Sequence, residues 1–284
     1  MQHWDSVTIV GVGLIGASIG LALRERGLAK NVIGVGRRAS TLRKARQHGA
    51  VTSTTTDLSR GVRDSRLILI STPVERIAPL VLEATAGCKP DAIITDAGST
   101  KLKIVRTVEF ALRSSTDRAA FVGSHPMAGG EKTGPEHGQA NLFEGRVAVV
   151  TPSKQSNPEA VRQIELFWQL LGSKVVRMSP KDHDRSVAAI SHMPHLIASA
   201  LAAATPAEEL QLASTGWMDT TRIASGDPEL WRQILVQNTN GVLKSLDKFE
   251  KVLAALRRAL ERDDQGKILQ LLQAGKQRRD SLGN

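Results

Sequence analysis

Four of the seven histidines stand in polar stretches near expected element ends, and histidine is the side chain that exchanges a proton nearest neutral pH. His125 lies in Gly123-Ser124-His125-Pro126-Met127-Ala128-Gly129-Gly130, where the glycines allow a ligand to approach closely. There it can take a proton from a bound hydroxyl or, as an ordinary turn histidine, bond only to backbone. His192 and His195, with Ser191 before them and Pro194 between, stand three residues apart at an expected helix start and can share a face, and His183 precedes them. A metal triad is conceivable from this set, but the pattern supplies no clear carboxylate ligand, so we expect no metal and assign hydrogen-bonding and pocket-wall roles instead. Arg222, in Asp219-Thr220-Thr221-Arg222-Ile223-Ala224, precedes a break at Gly226. It can fork onto a ligand carboxylate or pair with Asp219.

A partner for these groups would be held by the stretch near the start of the chain. Residues 7–10 read as a short buried strand; Gly11-x-Gly13-x-x-Gly16 follows at once and opens an apolar-periodic helix that Gly27 can end. Gly11 permits a tight turn, Gly13 lets the backbone approach a pyrophosphate, and Gly16, with Ala17, Ser18 and Gly20, lets the helix lie close on the sheet. The helix start, Leu14 and Ile15, then presents free N–H groups and a positive dipole end to the phosphates. Glycines also mark ordinary turns, but strand before and helix after favour a dinucleotide site. A second strand at 32–35 leads to Gly36-Arg37-Arg38. An acidic residue in this region would bond a ribose 2′-hydroxyl; two guanidiniums suit a 2′-phosphate, so we expect NADP, with NAD use left open.

Further strands at 67–70 and 92–95 alternate with helices at 39–48 and 74–86, the pattern of a parallel doubly wound sheet. Ligands in that architecture bind at the carboxyl ends of strands. Three such ends are polar: Ser71-Thr72-Pro73, which we expect to wall the cofactor, Asp96-Ala97-Gly98-Ser99, and Ser124-His125-Pro126. Residues 129–145 read as a long loop beside the site, followed by a strand at 146–150, a helix at 158–171 and a last strand at 174–178. From Pro180 onward the pattern is helical, at 188–204 and in one long run at 228–262 opened by Asp227 and Pro228. The expected fold is therefore α/β: a Rossmann-like doubly wound domain over 1–179, then an all-α substrate and dimerisation domain over 180–284. Val242, Leu246, Phe249, Leu253, Leu256 and Leu260 repeat along one helix face, from which we expect a homodimer.

Composition narrows the partners. The net charge of +10 comes from 38 Lys and Arg spread along the chain, with five Phe and no Tyr for stacking, so we expect no nucleic acid; a positive field favours small anionic ligands. The single cysteine, Cys88, excludes an internal disulfide and suits a reducing compartment. We see no leader pattern and no apolar run approaching bilayer length, and expect a cytoplasmic chain without a membrane.

Taken together, these motifs resemble one family, the prephenate and arogenate dehydrogenases of tyrosine biosynthesis. The resemblance covers nearly the whole chain and rests on GVGLIGASIG (11–20), STP (71–73), DAGSTK (96–101), SHPMAGGEKTG (124–134), the HD…SHMPH pattern (183–195), TRIA (221–224) and the helix start at 228–231. It implies a nucleotide-binding domain joined to a helical dimerisation domain. It implies oxidative decarboxylation of prephenate to 4-hydroxyphenylpyruvate, or of arogenate to tyrosine, with hydride passing from C4 to a nicotinamide. His125 matches the catalytic histidine that accepts the proton of the ring 4-hydroxyl, and Ser99 a serine that helps hold that hydroxyl. Arg222 matches the arginine that binds a substrate carboxylate; His183, Ser191, His192 and His195 match pocket residues; Glu131 and Asp219 match acidic positions near the pocket mouth. NAD-using members carry an acid where Gly36 stands, Thr is common at the place of Gly130, and Glu131-Lys132 leans toward prephenate. Two readings compete: another NADP-dependent hydroxy- or keto-acid reductase, and a protein that binds NADP without turnover.

Overall fold

The computed structural model describes residues 4–113, 119–130 and 132–283. The first unit runs β1 (Trp4–Val10), α1 (Leu14–Glu25), β2 (Ala29–Val35), α2 (Ala39–Gln47), β3 (Ser53–Thr55), α3 (Leu58–Val62), β4 (Leu67–Ile70), α4 (Val74–Gly87) and β5 (Ile93–Asp96). It continues through α5 (Leu102–Leu112), β6 (Ala120–Pro126), β7 (Val147–Thr151), α6 (Pro158–Leu170) and β8 (Lys174–Arg177). The eight strands form one sheet in the order β3-β2-β1-β4-β5-β6-β7-β8. Its central strands are apolar throughout, as strands covered on both faces must be: Leu67, Ile68, Leu69 and Ile70 of β4 are all buried.

Two features depart from the sequence reading. Strand β7 pairs antiparallel with β6, so the sheet is mixed rather than wholly parallel. Among the described residues, the connection between these strands holds a 3₁₀ turn, Pro135–His137, and no helix to carry the chain across the sheet as parallel pairing usually needs. That connection is also less open than expected, because Gln139 N–H donates to Ser18 Oγ at 3.0 Å and Lys44 pairs with Glu136 at 2.9 Å, strapping it across α1 and α2. The short β3 and α3, of three and five residues, are too brief to leave a periodic signal.

The second unit comprises α7 (Pro180–Val187), a π-helical turn (Ala188–His192), α8 (Met193–Ala204), α9 (Thr215–Thr221), a 3₁₀ turn (Arg222–Ser225), α10 (Pro228–Gln237), α11 (Thr239–Glu261) and α12 (Gln265–Asp280). The single run anticipated over 228–262 is thus two helices. The break falls at Asn238, whose buried amide donates to the Asp184 carbonyl at 2.7 Å and reaches His192 Nδ1 at 3.2 Å, while its backbone leaves the helical region at φ −116°, ψ 30°. The continuous run Pro180–Ala204 corrects another expectation: at 25 residues with a window of mean hydropathy 1.4 it is long and apolar enough to cross a bilayer by length and composition alone. It nonetheless carries buried His183, Asp184, His192 and His195. Helix α10 keys into the first unit: Ile234 joins the core cluster around Ile68 and Ile77, and Thr100 Oγ1 donates to Gln237 at 2.9 Å.

Candidate active site

The glycine turn at the end of β1 has the conformation and spacing that a dinucleotide requires. Gly11 takes φ +93°, and a Cβ there would stand 2.2 Å from the Ser71 carbonyl oxygen, so only glycine fits. A Cβ at Gly16 would fall 2.1 Å from the Gly11 oxygen, and one at Gly20 2.1 Å from the Ala50 oxygen. Gly13, by contrast, has nothing within 4 Å: the space in front of the helix start is open where a pyrophosphate would lie. No side chain caps α1, so the first-turn N–H groups, including those of Leu14 and Ile15, remain available. Thr72, between Ser71 and Pro73 and against Gly11, holds a buried Oγ1 with no protein partner, a hydroxyl suited to a ligand. Arg37 and Arg38 are exposed just beyond β2, the strand next to β1. The residues present therefore fit a dinucleotide.

The catalytic end lies where β5 and β6 finish beneath α7. His125, in the last turn of ladder pairing on β6, opposes Val149. Its Nδ1 meets His183 Nε2 at 2.9 Å, and His183 Nδ1 meets Asp184 Oδ1 at 2.8 Å. Asp184 in turn accepts the backbone N–H groups of Lys101 at 2.7 Å and Leu102 at 2.9 Å, at the N-terminus of α5. This chain of contacts assigns the protons. An ionised Asp184 only accepts, so His183 Nδ1 donates; neutral His183 Nε2 then accepts from His125 Nδ1; His125 Nε2 is left with its lone pair. Burial, then the neighbouring His183, Lys101 and His192, holds the His125 pKa well below its ordinary value. Burial also lowers that of His183 despite the opposing hydrogen bond to Asp184. Both rings are therefore neutral at pH 7, the state that a base needs.

His192 and His195, three residues apart on the run that α7 begins, are buried as well. His192 is pushed down to about 4, chiefly by burial. Its Nδ1 accepts from Asn238, so Nε2 carries the proton; the Ser99 backbone lies beside this ring, yet Nε2 has no partner that meets hydrogen-bond geometry. His195, lowered by burial, stacks on Trp231 at 3.6 Å and 10°, and its Nδ1 is likewise buried without a partner. His192 Nε2 and His195 Nδ1 are thus two buried imidazole nitrogens without a protein partner, groups suited to polar ligand atoms. Ser191 is half-buried in the π-helical turn, and Ser99 half-buried on the β5–α5 loop. Arg222 and Asp219 are exposed; the 3₁₀ turn that Arg222 opens lies against His195 through Ile223 and Gly226. Glu131 lies outside the described residues. The two halves of the site meet at Gly129, where an added Cβ would stand 4.0 Å from Ile15 at the start of α1.

Sequence reasoning singled out neither Asp184, Asn238, Lys101 nor Asp96 as site residues, and used Trp231 only as the mark of a helix start. Asp184 directly follows His183, and a His-Asp dipeptide beside a candidate base was the one signal available.

The family model described as "Prephenate dehydrogenase, nucleotide-binding domain" matches residues 19–177, and "Prephenate dehydrogenase, dimerization domain" matches residues 179–274. A curated prephenate dehydrogenase of Bacillus subtilis is 33% identical over 99% of this chain and 77% of its own length. A cyclohexadienyl dehydrogenase of Zymomonas mobilis is 29% identical over 95% and 93%. Among solved structures, prephenate dehydrogenase of A. aeolicus in complex with hydroxyphenyl propionate and NAD+ superposes with a TM-score of 0.89 at 31% identity, covering 99% of this chain and 98% of that one. Synechocystis arogenate dehydrogenase gives 0.82 at 32% identity, covering 98% and 99%.

Proposed function

This chain belongs to the prephenate dehydrogenase family, and from that premise we propose that it oxidatively decarboxylates prephenate to 4-hydroxyphenylpyruvate, with His125 as the base. The observation that carries this reading is the Asp184–His183–His125 chain, which leaves an unprotonated Nε2 at the end of β6. When bound, the nicotinamide accepts the hydride that leaves C4. His125 Nε2 takes the proton of the C4 hydroxyl as the C4–H bond breaks. The bond from C1 to its carboxylate then breaks, carbon dioxide departs, the ring becomes aromatic, and the oxygen recovers a proton from His125. Ser99 helps hold the hydroxyl, and Arg222 forks onto a carboxylate of the dianion. His192, through its unpartnered N–H, together with His195 and Ser191, lines the pocket, and Glu131 and Asp219 belong to its mouth.

The same proposal takes 1–179 as the dinucleotide unit and 180–284 as the substrate and dimerisation unit, with a homodimer formed through the latter, in the cytoplasm. For the cofactor we infer NADP over NAD. Arg37 and Arg38 supply two exposed guanidiniums where Gly36 leaves no carboxylate to repel a 2′-phosphate. The A. aeolicus neighbour holds NAD+, so NAD remains the competing cofactor.

Arogenate is the second substrate to weigh, since the Synechocystis enzyme of that name is as similar as the prephenate dehydrogenases. Steady-state assays of reduced nicotinamide, with prephenate or L-arogenate against NADP or NAD, separate these. We expect the highest kcat/KM for prephenate with NADP. A preference for arogenate or NAD reverses that part of the reading and leaves the role of His125 intact; no turnover of either substrate overturns the reading as a whole.

A further inference from the structure

Lys101 has no part in the mechanism so far, yet its side chain is 0% exposed and its ammonium is paired with an equally buried Asp96. Asp96 is tied on both oxygens: Oδ1 accepts the Ser124 N–H at 3.2 Å, and Oδ2 accepts the Gly98 N–H at 2.9 Å besides the ammonium. The lysine stem runs beneath β6, where a Cβ on Gly123 would stand 3.4 Å from Lys101 Cδ, two residues before His125. The backbone N–H of Lys101 is the one that Asp184 accepts. A buried ion pair stabilises a fold little better than an apolar pair of similar volume, so its charge calls for another account.

We propose, building on the reading of His125 as base, that Lys101 is a positioning residue for that base: its ammonium, locked by Asp96 behind the His125–His183 pair, opposes protonation of both rings. His125 Nε2 thereby stays a lone pair until substrate arrives, and the proton that it takes is returned readily once the ring is aromatic. Every charged or titratable group facing the two rings enters the balance. From β6 and its neighbours, His125 faces His183, His192 and Lys101, all of which disfavour its charged form. His183 faces Asp184 and Asp96, which favour its charged form, and Lys101, which does not. Burial lowers the pKa of Lys101 itself, and Asp96, by charge and by hydrogen bond, followed by Asp184, opposes that shift.

The sign follows directly. Removing the cation raises the His125 pKa, and because the base works neutral, the acid limb of kcat/KM moves to higher pH. In the full-length chain, Lys101→Met is expected to raise the histidine pKa, read by ¹⁵N NMR titration without substrate, by about one unit or more. The acid limb of kcat/KM with prephenate moves to higher pH by the same amount. Lys101→Arg keeps both near wild type. The double variant Asp96→Asn with Lys101→Met removes both charges together and shows a smaller rise in the same direction, which covers the case in which the single variant, left with an unpaired buried Asp96, does not fold. A His125 pKa unchanged in the double variant, or moved as far by arginine as by methionine, overturns the proposal. If the wild type oxidises neither prephenate nor arogenate, the functional reading fails on its own, and the NMR titration still decides whether Lys101 governs the ring.

Discussion

His125 and Arg222 are asked to do different work, and kinetics can separate them. On the proposed reading, the hydroxyl proton passes to His125 as the C4–H bond breaks, so that interaction strengthens in the transition state, whereas Arg222 would hold a carboxylate that is charged before reaction begins. Loss of the first should appear in kcat and loss of the second in KM. We expect His125→Ala to lower kcat by about 10²- to 10⁴-fold with KM changed little, and Arg222→Ala to raise substrate KM by about 10- to 100-fold, the equivalent of one charge-assisted hydrogen-bond pair. Steady-state kinetics with the reverse pattern would sink both roles. The histidines could be read from the sequence because imidazole among glycine and serine at a strand exit is uncommon without a purpose. Their partners could not. Asp96 and Lys101 bound the DAGSTK motif and Asp184 follows His183, but no local pattern says that the fold buries all three. Trp231 was equally hidden: its stacking on His195 joins α10 to α8, a contact that no local pattern encodes.

The elements were legible wherever one rule governed them. The apolar run at 67–70 gave β4, the strand read at 92–95 gave β5 within one residue, and the strand–glycine–helix signature gave β1 and α1. Where a long-range contact decided the outcome, the reading failed: Asn238 sits within a helical periodicity, but its amide is taken by Asp184 and His192 and the helix ends there. The glycines of α1 offer a test that separates packing from binding. An alanine at Gly20 would drive its Cβ to 2.1 Å from the Ala50 carbonyl, backbone that cannot rotate aside. An alanine at Gly13 meets nothing within 4 Å, and its φ of −83° is open to any residue. We expect Gly20→Ala to destabilise by about 1–3 kcal/mol, a fall of roughly 3–10 °C in Tm, with the cofactor Kd unchanged. Gly13→Ala is expected to leave Tm in place and weaken cofactor binding, because the new methyl occupies the approach of the pyrophosphate. Thermal melts and a cofactor fluorescence titration read the two effects independently. Equal losses of Tm in both variants would refute the distinction.

At the scale of the whole molecule, the apolar surface is divided unevenly. Neither core cluster takes a buried side chain from the second unit except Ile234 among the described residues. All but Phe110 and Val176 of the exposed large apolar side chains described lie in the second unit, including Ile190 at 69%, Leu212 at 77% and Leu260 at 67% exposure. Of the run Val242, Leu246, Phe249, Leu253, Leu256 and Leu260, the first is buried, Leu253 and Leu260 are exposed, and the rest are half-buried. A helical unit that leaves so much apolar area in water lacks a core of its own in one chain, and soluble monomers rarely tolerate such patches. A second copy of the same unit, related by a two-fold axis, would cover them with their own kind. Sedimentation equilibrium at micromolar concentration should therefore return twice the 30.6 kDa chain mass, and Tm should rise with protein concentration as association stabilises the folded state. A single-chain mass with a concentration-independent melt would mean that the helices are stable bare. The candidate site would then have to keep its shape without support from behind, since the run Pro180–Ala204 and α10 expose Ile190, Leu201, Leu230 and Val236 and also carry His183, His192, His195 and Trp231.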